Sequence, residues 1–296
     1  MRLSIVTINY NNAKGLECTL NSVLNQSYKD IEHIVIDGAS ADGSVDVIRE
    51  YAEGKTSNIT HHISHIVKWV SEPDNGIYNA MNKGIRKATG AYIQILNSGD
   101  RLAAPDVTDR MMKALTERIG RPESSGRAQS GNSGVDILYG NMVKKDYSTG
   151  KILGKSRVVE YSLRQYYSST MNHDCCYIRR DLFEQYGLYD EGLKIVSDWK
   201  WFLQAIGLGK VKPIYVDIDV TIFDASGISE TNLALRNQER RQVLEQVLPP
   251  AVLADYDKHA FETQQMDRLR KHHVYGLVYF VERVLFKLEK WHVLHR

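Results

Sequence analysis

The sequence predicts an α/β protein, a mostly parallel sheet flanked by helices with a helical extension at the C-terminus. Three observations carry this expectation. Short apolar runs alternate with amphipathic stretches through the first hundred residues, each of the four apolar runs ends in an acid or an amide, and from about residue 232 the pattern is helical and charged with no strand-like stretch. Strands alternating with helices at this rhythm pair in parallel, because each crossover helix must return the chain to the same edge.

The elements follow in order. Residues 3–8 form a β-branched run that stops at Asn9, Asn11 and Asn12. Residues 15–26 space Leu16, Leu20, Val23 and Leu24 as a helix does. A second strand is expected over 31–36, a helix over 44–52 with Val45, Ile48 and Tyr51 on one face, a short strand over 68–71, a helix over 77–89 and a strand over 92–96. Residues 120–134 are small, polar and glycine-rich and read as a surface loop, after which 137–139 resume a strand. Further helices are expected near 181–186 and 199–206.

Composition narrows the function classes. With 38 basic and 36 acidic residues the formal net charge is +2, so no strong global field draws the chain to nucleic acid, and no nucleic-acid partner is expected. Cys18, Cys175 and Cys176 make an odd count, and no CxxC or HxxxH spacing accompanies the Cys175–Cys176 pair. That argues against a disulfide scaffold and a zinc site and for a reducing, cytoplasmic compartment. The apolar run after Arg2 is too short for a signal-peptide core, and no run of about 18 apolar residues suggests a membrane span.

In open α/β sheets, ligands bind beyond the carboxyl ends of the strands. Here those ends read Asn9/Asn11, Asp37-Gly38-Ala39-Ser40, Glu72-Pro73-Asp74-Asn75 and Asn97-Ser98-Gly99-Asp100, which together favour a shared polar cleft. A carboxylate at Asp37 could accept hydrogen bonds from a base or ribose, and Asp100 could ligate Mg²⁺ or Mn²⁺, with a diphosphate supplying further oxygens. Asp198 opens an aromatic-rich helix, where it is either an acid favoured by the helix dipole or a general base for an acceptor hydroxyl. Trp199 and Trp201 could stack on a sugar, although such indoles are more often core. His173, in MNHDCCYIRR, is a weaker candidate, and the two cysteines beside it read as buried strand residues. Neither a G-x-G-x-x-G nor a G-x-x-x-x-G-K-[ST] motif is present, which disfavours dinucleotide and P-loop enzymes.

Taken together and in this order, SIVTINYNN, TLNSVLNQSYKDIEHIVIDGASADGS and SEPDNGIYNAMNKGIRKATGAYIQILNSGD resemble family 2 glycosyltransferases of the GT-A fold. The likeness is strong to about residue 102 and continues more loosely through HDCCYIRRDLFEQYGLYDE and KIVSDWKWFL to near residue 230. It implies a domain over residues 1–230, with a nucleotide-sugar half in 1–102 and an acceptor half in 103–230, followed by the extension at 231–296. It also implies inverting transfer from a nucleoside-diphosphate sugar, a UDP-sugar by default, to a saccharide or lipid-linked saccharide hydroxyl in cell-surface polysaccharide assembly.

Carried over residue by residue, Thr7, Asn9 and Asn11 line the base and ribose pocket and Asp37 contacts the base. Asp74 and Lys83 lie along the ribose–diphosphate channel, with Ser40, Ser98 and Gly99 also at the nucleotide. Asp100 holds Mn²⁺ or Mg²⁺, Asp198 is the base, and Asn97, His173 and Trp199 border the sugar and acceptor. The family's usual Asp-x-Asp is Asn-Ser-Gly-Asp here, which leaves one carboxylate and resembles a subgroup from capsule, colanic acid and O-antigen assembly. No Q-x-x-R-W motif of processive synthases is present.

Two other readings remain at this level. A sugar nucleotidyltransferase would carry a glycine-rich basic loop after the first strand, and only Lys14-Gly15 stands there. A non-catalytic module of the same fold is kept open by Asn97 and opposed by Asp198. In the extension, Val274, Leu277/Val278, Val281, Leu285 and Leu288 form an apolar stripe among Arg268, Arg270, Lys271, Arg283, Lys287, Lys290 and Arg296. Such a helix packs on its own domain, pairs with a twin subunit, or lies peripherally on the inner face of an anionic membrane.

Overall fold

The computed structural model describes residues 1–55, 66–119, 134–146, 149–156, 162–224, 232–271 and 275–294. Its chain divides into two compact units, Met1–Arg240 and Arg241–Arg296.

Among the described residues, the first unit is built on one mixed sheet of nine strands. Strands β1 (Leu3–Asn9), β2 (Ile31–Asp37), β3 (Ile66–Ser71) and β4 (Tyr92–Asn97) lie in the order β3-β2-β1-β4 and are all parallel. Every residue of β1 and β2 is buried, as expected for strands covered on both faces. Helix α1 (Ala13–Leu24) is capped by Asn12, whose side chain accepts the Gly15 N–H at 3.1 Å. Its Leu16 and Leu20 pack with Val35 and with Ile48 and Tyr51 of α2 (Ser44–Ala52). Helix α3 (Ile77–Lys87) completes the first half. The expected elements of this half are present, with ends displaced by at most two residues.

Beyond β4 the sheet becomes mixed. β5 (Arg101–Leu102) leaves the path to pair antiparallel with β9 (Pro213–Asp224), and α4 (Val107–Ile119) follows it. β6 (Ile137–Lys145) pairs parallel with β9 and antiparallel with β7 (Ile152–Lys155) and β8 (Cys176–Arg179). β8 also runs antiparallel to β4, with Tyr92 opposite Arg179. An antiparallel neighbour starts where the parallel strand ends, so the 3-10 turn His173–Cys175 that precedes β8 arrives at the carboxyl end of β4.

Short helices α5 (Leu163–Ser168), α6 (Leu182–Tyr186) and α7 (Ser197–Phe202) flank this half, and a π-helical turn, Leu203–Gly207, ends α7. Helix α8 (Leu233–Val247) begins the C-terminal run, followed in the second unit by α9 (Pro250–Lys271) and α10 (Tyr275–Leu294). The glycine-rich 120–134 segment, all but its last residue, and Val274 of the C-terminal stripe lie outside the described residues.

Candidate active site

Strand register assembles the first part of the site. Asn9 stands opposite Asp37, Asp37 opposite Ser71, and Asn97 opposite Ile8, so the polar ends of all four parallel strands line one edge. This edge includes β1 and β4, where the chain switches direction through the sheet, the position at which open α/β sheets take ligands.

Asp37 is buried and surrounded by donors. Its carboxylate accepts the Asn9 amide at 2.7 Å, the Ser40 N–H at 2.9 Å, and the Ser40 and Ser71 hydroxyls at 2.6 Å each. Burial pushes its pKa up, but these bonds to the ionised form overcome it and hold the carboxyl below the usual range. The loop beyond is tied by the Asn11 N–H to the Ser40 hydroxyl at 2.8 Å and the Ala41 N–H to the Asn11 side-chain Oδ1 at 2.9 Å. Asp74 lies against this nest: a Cβ at Gly38 would meet its Oδ2 at 2.5 Å. Only glycine lets the two strand ends come this close.

The second part centres on the turn after β4. Gly99 has φ +111°, a backbone conformation that favours glycine. The Thr19 hydroxyl accepts the Gly99 N–H at 2.9 Å and bonds to the Asp100 carbonyl at 2.7 Å, pinning the turn to α1. Asn12 donates to the Ser98 carbonyl at 2.9 Å. The Asp100 carboxylate accepts the Asn97 N–H at 3.0 Å. Burial and the neighbouring charge of Asp174 push its pKa up to about 7, against the Asn97 bond and the attraction of His173. Asp174 is held by the Thr221 hydroxyl and positioned by Gln94, which donates to its carbonyl at 2.7 Å.

His173 joins this turn to α7. Its Nδ1 lies 2.9 Å from Asp198 Oδ2, its Nε2 faces the Asn97 amide at 3.5 Å, and the Tyr78 hydroxyl donates to Asp198 Oδ1 at 2.9 Å. Burial would lower the His173 pKa, but the bond to Asp198 and the charges of Asp198, Asp174 and Asp100 raise it to about 9. The same contact, with the Tyr78 bond, holds the Asp198 pKa low despite burial. These shifts leave a charged imidazole between acids, with Asp198 ionised.

The profile of glycosyl transferase family 2 matches residues 4–187. The chain belongs to that family. The uncharacterized glycosyltransferase Rv1514c of Mycobacterium tuberculosis is 31% identical over 232 residues, 76% of either chain. Among solved structures, S. aureus TarS in complex with UDP-GlcNAc gives a TM-score of 0.60 at 16% identity, covering 82% of this chain and 64% of that one. This chain thus spans under two thirds of the TarS chain. The mannosyltransferase PcManGT from Pyrobaculum calidifontis, in complex with GDP-Man and Mn²⁺, gives a TM-score of 0.60 at 20% identity, covering 88% and 69%. At these identities the structures show the shared GT-A fold, and the relatives make this protein a glycosyltransferase.

In this family 2 enzyme two sequence expectations need correction. Thr7 does not reach the cleft: it is wholly buried, its hydroxyl 2.9 Å from His33 Nε2, whose Nδ1 lies 2.7 Å from the Tyr51 hydroxyl. Trp199 does not face a sugar: it is 1% exposed, its indole N–H donates to the Tyr166 carbonyl at 2.7 Å, and Arg240 covers its ring at 5.1 Å. In both cases partners from elements distant in the sequence, invisible in the local pattern, claim the side chain. Lys83 is tied to Glu72 at 2.9 Å and to the Pro73 carbonyl at 2.9 Å, which places its ammonium at the end of β3.

The candidate site also holds residues to which the sequence alone assigned no role. Tyr78, Asp174 and Glu239 enter only through contacts across 120, 47 and 45 residues of chain. Buried Glu239 of α8 accepts the N–H groups of Lys194, Ile195 and Val196 at 2.7, 2.9 and 3.3 Å, fixing the chain just before Asp198. Tyr10 left a signal, an aromatic between Asn9 and Asn11. It is 66% exposed and flanks Gly38, where an added Cβ would come within 3.1 Å of its ring.

Proposed function

We propose that this glycosyltransferase moves a sugar from a nucleoside-diphosphate donor to a saccharide or lipid-linked saccharide hydroxyl by direct, inverting displacement. The observation that carries the proposal is the bridge His173 makes between the Asn97–Asp100 turn and Asp198. Donor-side turn and candidate base are thereby held in one cluster by strands that the parallel half alone would not bring together.

In this reading the Asp37 nest receives the base and ribose, Tyr10 lies over them, and Asn9, Asn11, Ser40 and Asp74 complete the pocket. UDP is the first donor to test, with GDP and dTDP donors as the alternatives. Asp198 accepts the proton of the attacking hydroxyl, and the His173 and Tyr78 contacts hold its lone pairs in place. A carboxylate so positioned contributes roughly 10²–10⁴-fold to such a step.

The residues present fit a divalent cation bound mainly through substrate. Asp100 gives one carboxylate, its raised pKa marks a negative site short of counter-charge, and Asn97 Oδ1 is buried with no partner among the described residues. Mg²⁺ and Mn²⁺ commonly use one or two carboxylates and take their other oxygens from phosphates and water. When bound, the ion would offset charge on the departing diphosphate.

The test is calorimetric titration of UDP, GDP and dTDP with and without Mn²⁺, on wild type and Asp100→Ala. We expect one nucleotide to bind with Mn²⁺ dependence and the substitution to abolish that dependence. Binding that ignores metal would remove Asp100 from its role, and a folded sample that binds no nucleotide would overturn the donor reading.

A further inference from the structure

Helix α10 carries a feature that the transfer reaction does not use. At 100° per residue, Leu277, Phe280, Val281, Val284, Leu285 and Leu288 fall within an arc of about 140° that contains no charge among the described side chains. All six are exposed, between 40% and 64%. Glu282, Arg283 and Lys287 lie outside this arc, with Lys287 at its rim. Charges recur through the middle of the helix, and no described helix is long and apolar enough to cross a membrane.

The charge of this region is one-sided. The last thirty residues hold seven Lys or Arg against three Asp or Glu, with four His besides, whereas the rest of the chain has a net charge of −2. A broad apolar arc on a cationic segment matches an anionic lipid surface. The arc would sink to the headgroup–acyl boundary, Lys287 at its rim would meet lipid phosphates, and Arg283 would add to the long-range attraction. A second copy of the helix fits less well, because pairing two such segments brings like charges together and a two-helix seam needs only a narrow stripe.

We propose that α10 seats on an anionic lipid surface through its Leu277–Leu288 face. The inference does not depend on the identity of donor or acceptor.

The experiment is flotation of the full chain with vesicles of phosphatidylcholine, with and without phosphatidylglycerol, for wild type, Val281→Glu/Leu285→Glu and Arg283→Glu/Lys287→Glu. All four side chains lie outside the proposed active site, and circular dichroism checks that the variants fold. Wild type is expected to float with phosphatidylglycerol vesicles at low salt. The apolar-face variant should lose binding by about tenfold or more, and each reversed charge should weaken it by about fivefold. Failure of wild type to float, or flotation unchanged in both variants, would overturn the proposal. So would a dimer in light scattering that Val281→Glu/Leu285→Glu dissociates, in a protein that does not float.

Discussion

The two ends of the cleft satisfy their polar groups in opposite ways. Around Asp37 every carboxylate bond is already made within the protein, by Asn9, Ser40 and Ser71, and the acid is ionised and content. Around Asp100, Asp174 and Asp198, three acids share one imidazolium, Asp100 is pushed up to about 7, and the Asn97 side-chain oxygen Oδ1 has no partner among the described residues. The Asp37 carboxylate is complete before any ligand arrives, and only Asn9 Oδ1 beside it lacks a partner among the described residues of that cluster. The other end carries charge tension that a cation, a diphosphate or a proton would relieve. This division suits a transferase, because the nucleotide only has to be held, whereas charge has to move where the bond breaks.

The sharpest way to break this comparison is to neutralise one acid at each end. Asp198→Asn keeps the size and the Tyr78 contact but removes the basic oxygen. Turnover should fall by roughly 10²–10⁴-fold, with nucleotide affinity within about twofold of wild type. Steady-state kinetics beside calorimetry decide it. Equal losses in turnover and affinity would show that Asp198 organises the cleft and is not the base.

Asp37→Asn should behave in the reverse manner. An amide nitrogen would face donors that now bond to a carboxylate, so stability should drop by about 2–3 kcal/mol and nucleotide affinity should fall with it. Urea unfolding and calorimetry read both effects. A variant with wild-type stability but no nucleotide binding would mean that the nest serves the ligand alone.

The two ends also differed in how far the sequence disclosed them. Parallel strands in strict register bring successive strand ends together, so a list of polar residues after apolar runs was enough to find Asn9, Asp37, Asp74 and Asn97. The antiparallel β8 has no such local signature. Only its pairing with β4 carries His173 and Asp174 to Asn97, and only α3 and α8, far away in the chain, supply Tyr78 and Glu239. The same limit explains Thr7 and Trp199: composition marks them as polar or aromatic, but burial is decided by what packs over them. Motif resemblance carried Asp198 across this gap, whereas spacing by itself left it balanced between helix-terminal acid and base.

A further contrast should separate the ends along the pH axis. Asp37 has a folded pKa held below its ordinary value, so its contribution is present above about pH 4 and is lost as pH falls through the depressed value. His173 has the opposite sign. Raised from 6.5 to about 9, it stabilises fully below its unfolded pKa and loses that contribution as pH rises through about 9. Hydrogen exchange with chelator present should therefore show β2 and its following loop loosening first in acid, and the His173 turn and α7 loosening first in alkali. His173→Gln, which retains a donor without the charge, should flatten the alkaline change and leave the acid one intact. Loosening of both regions together at one end of the scale would mean that the two sites unfold as a single unit, and that the contrast between a satisfied and a strained end does not extend to their stability.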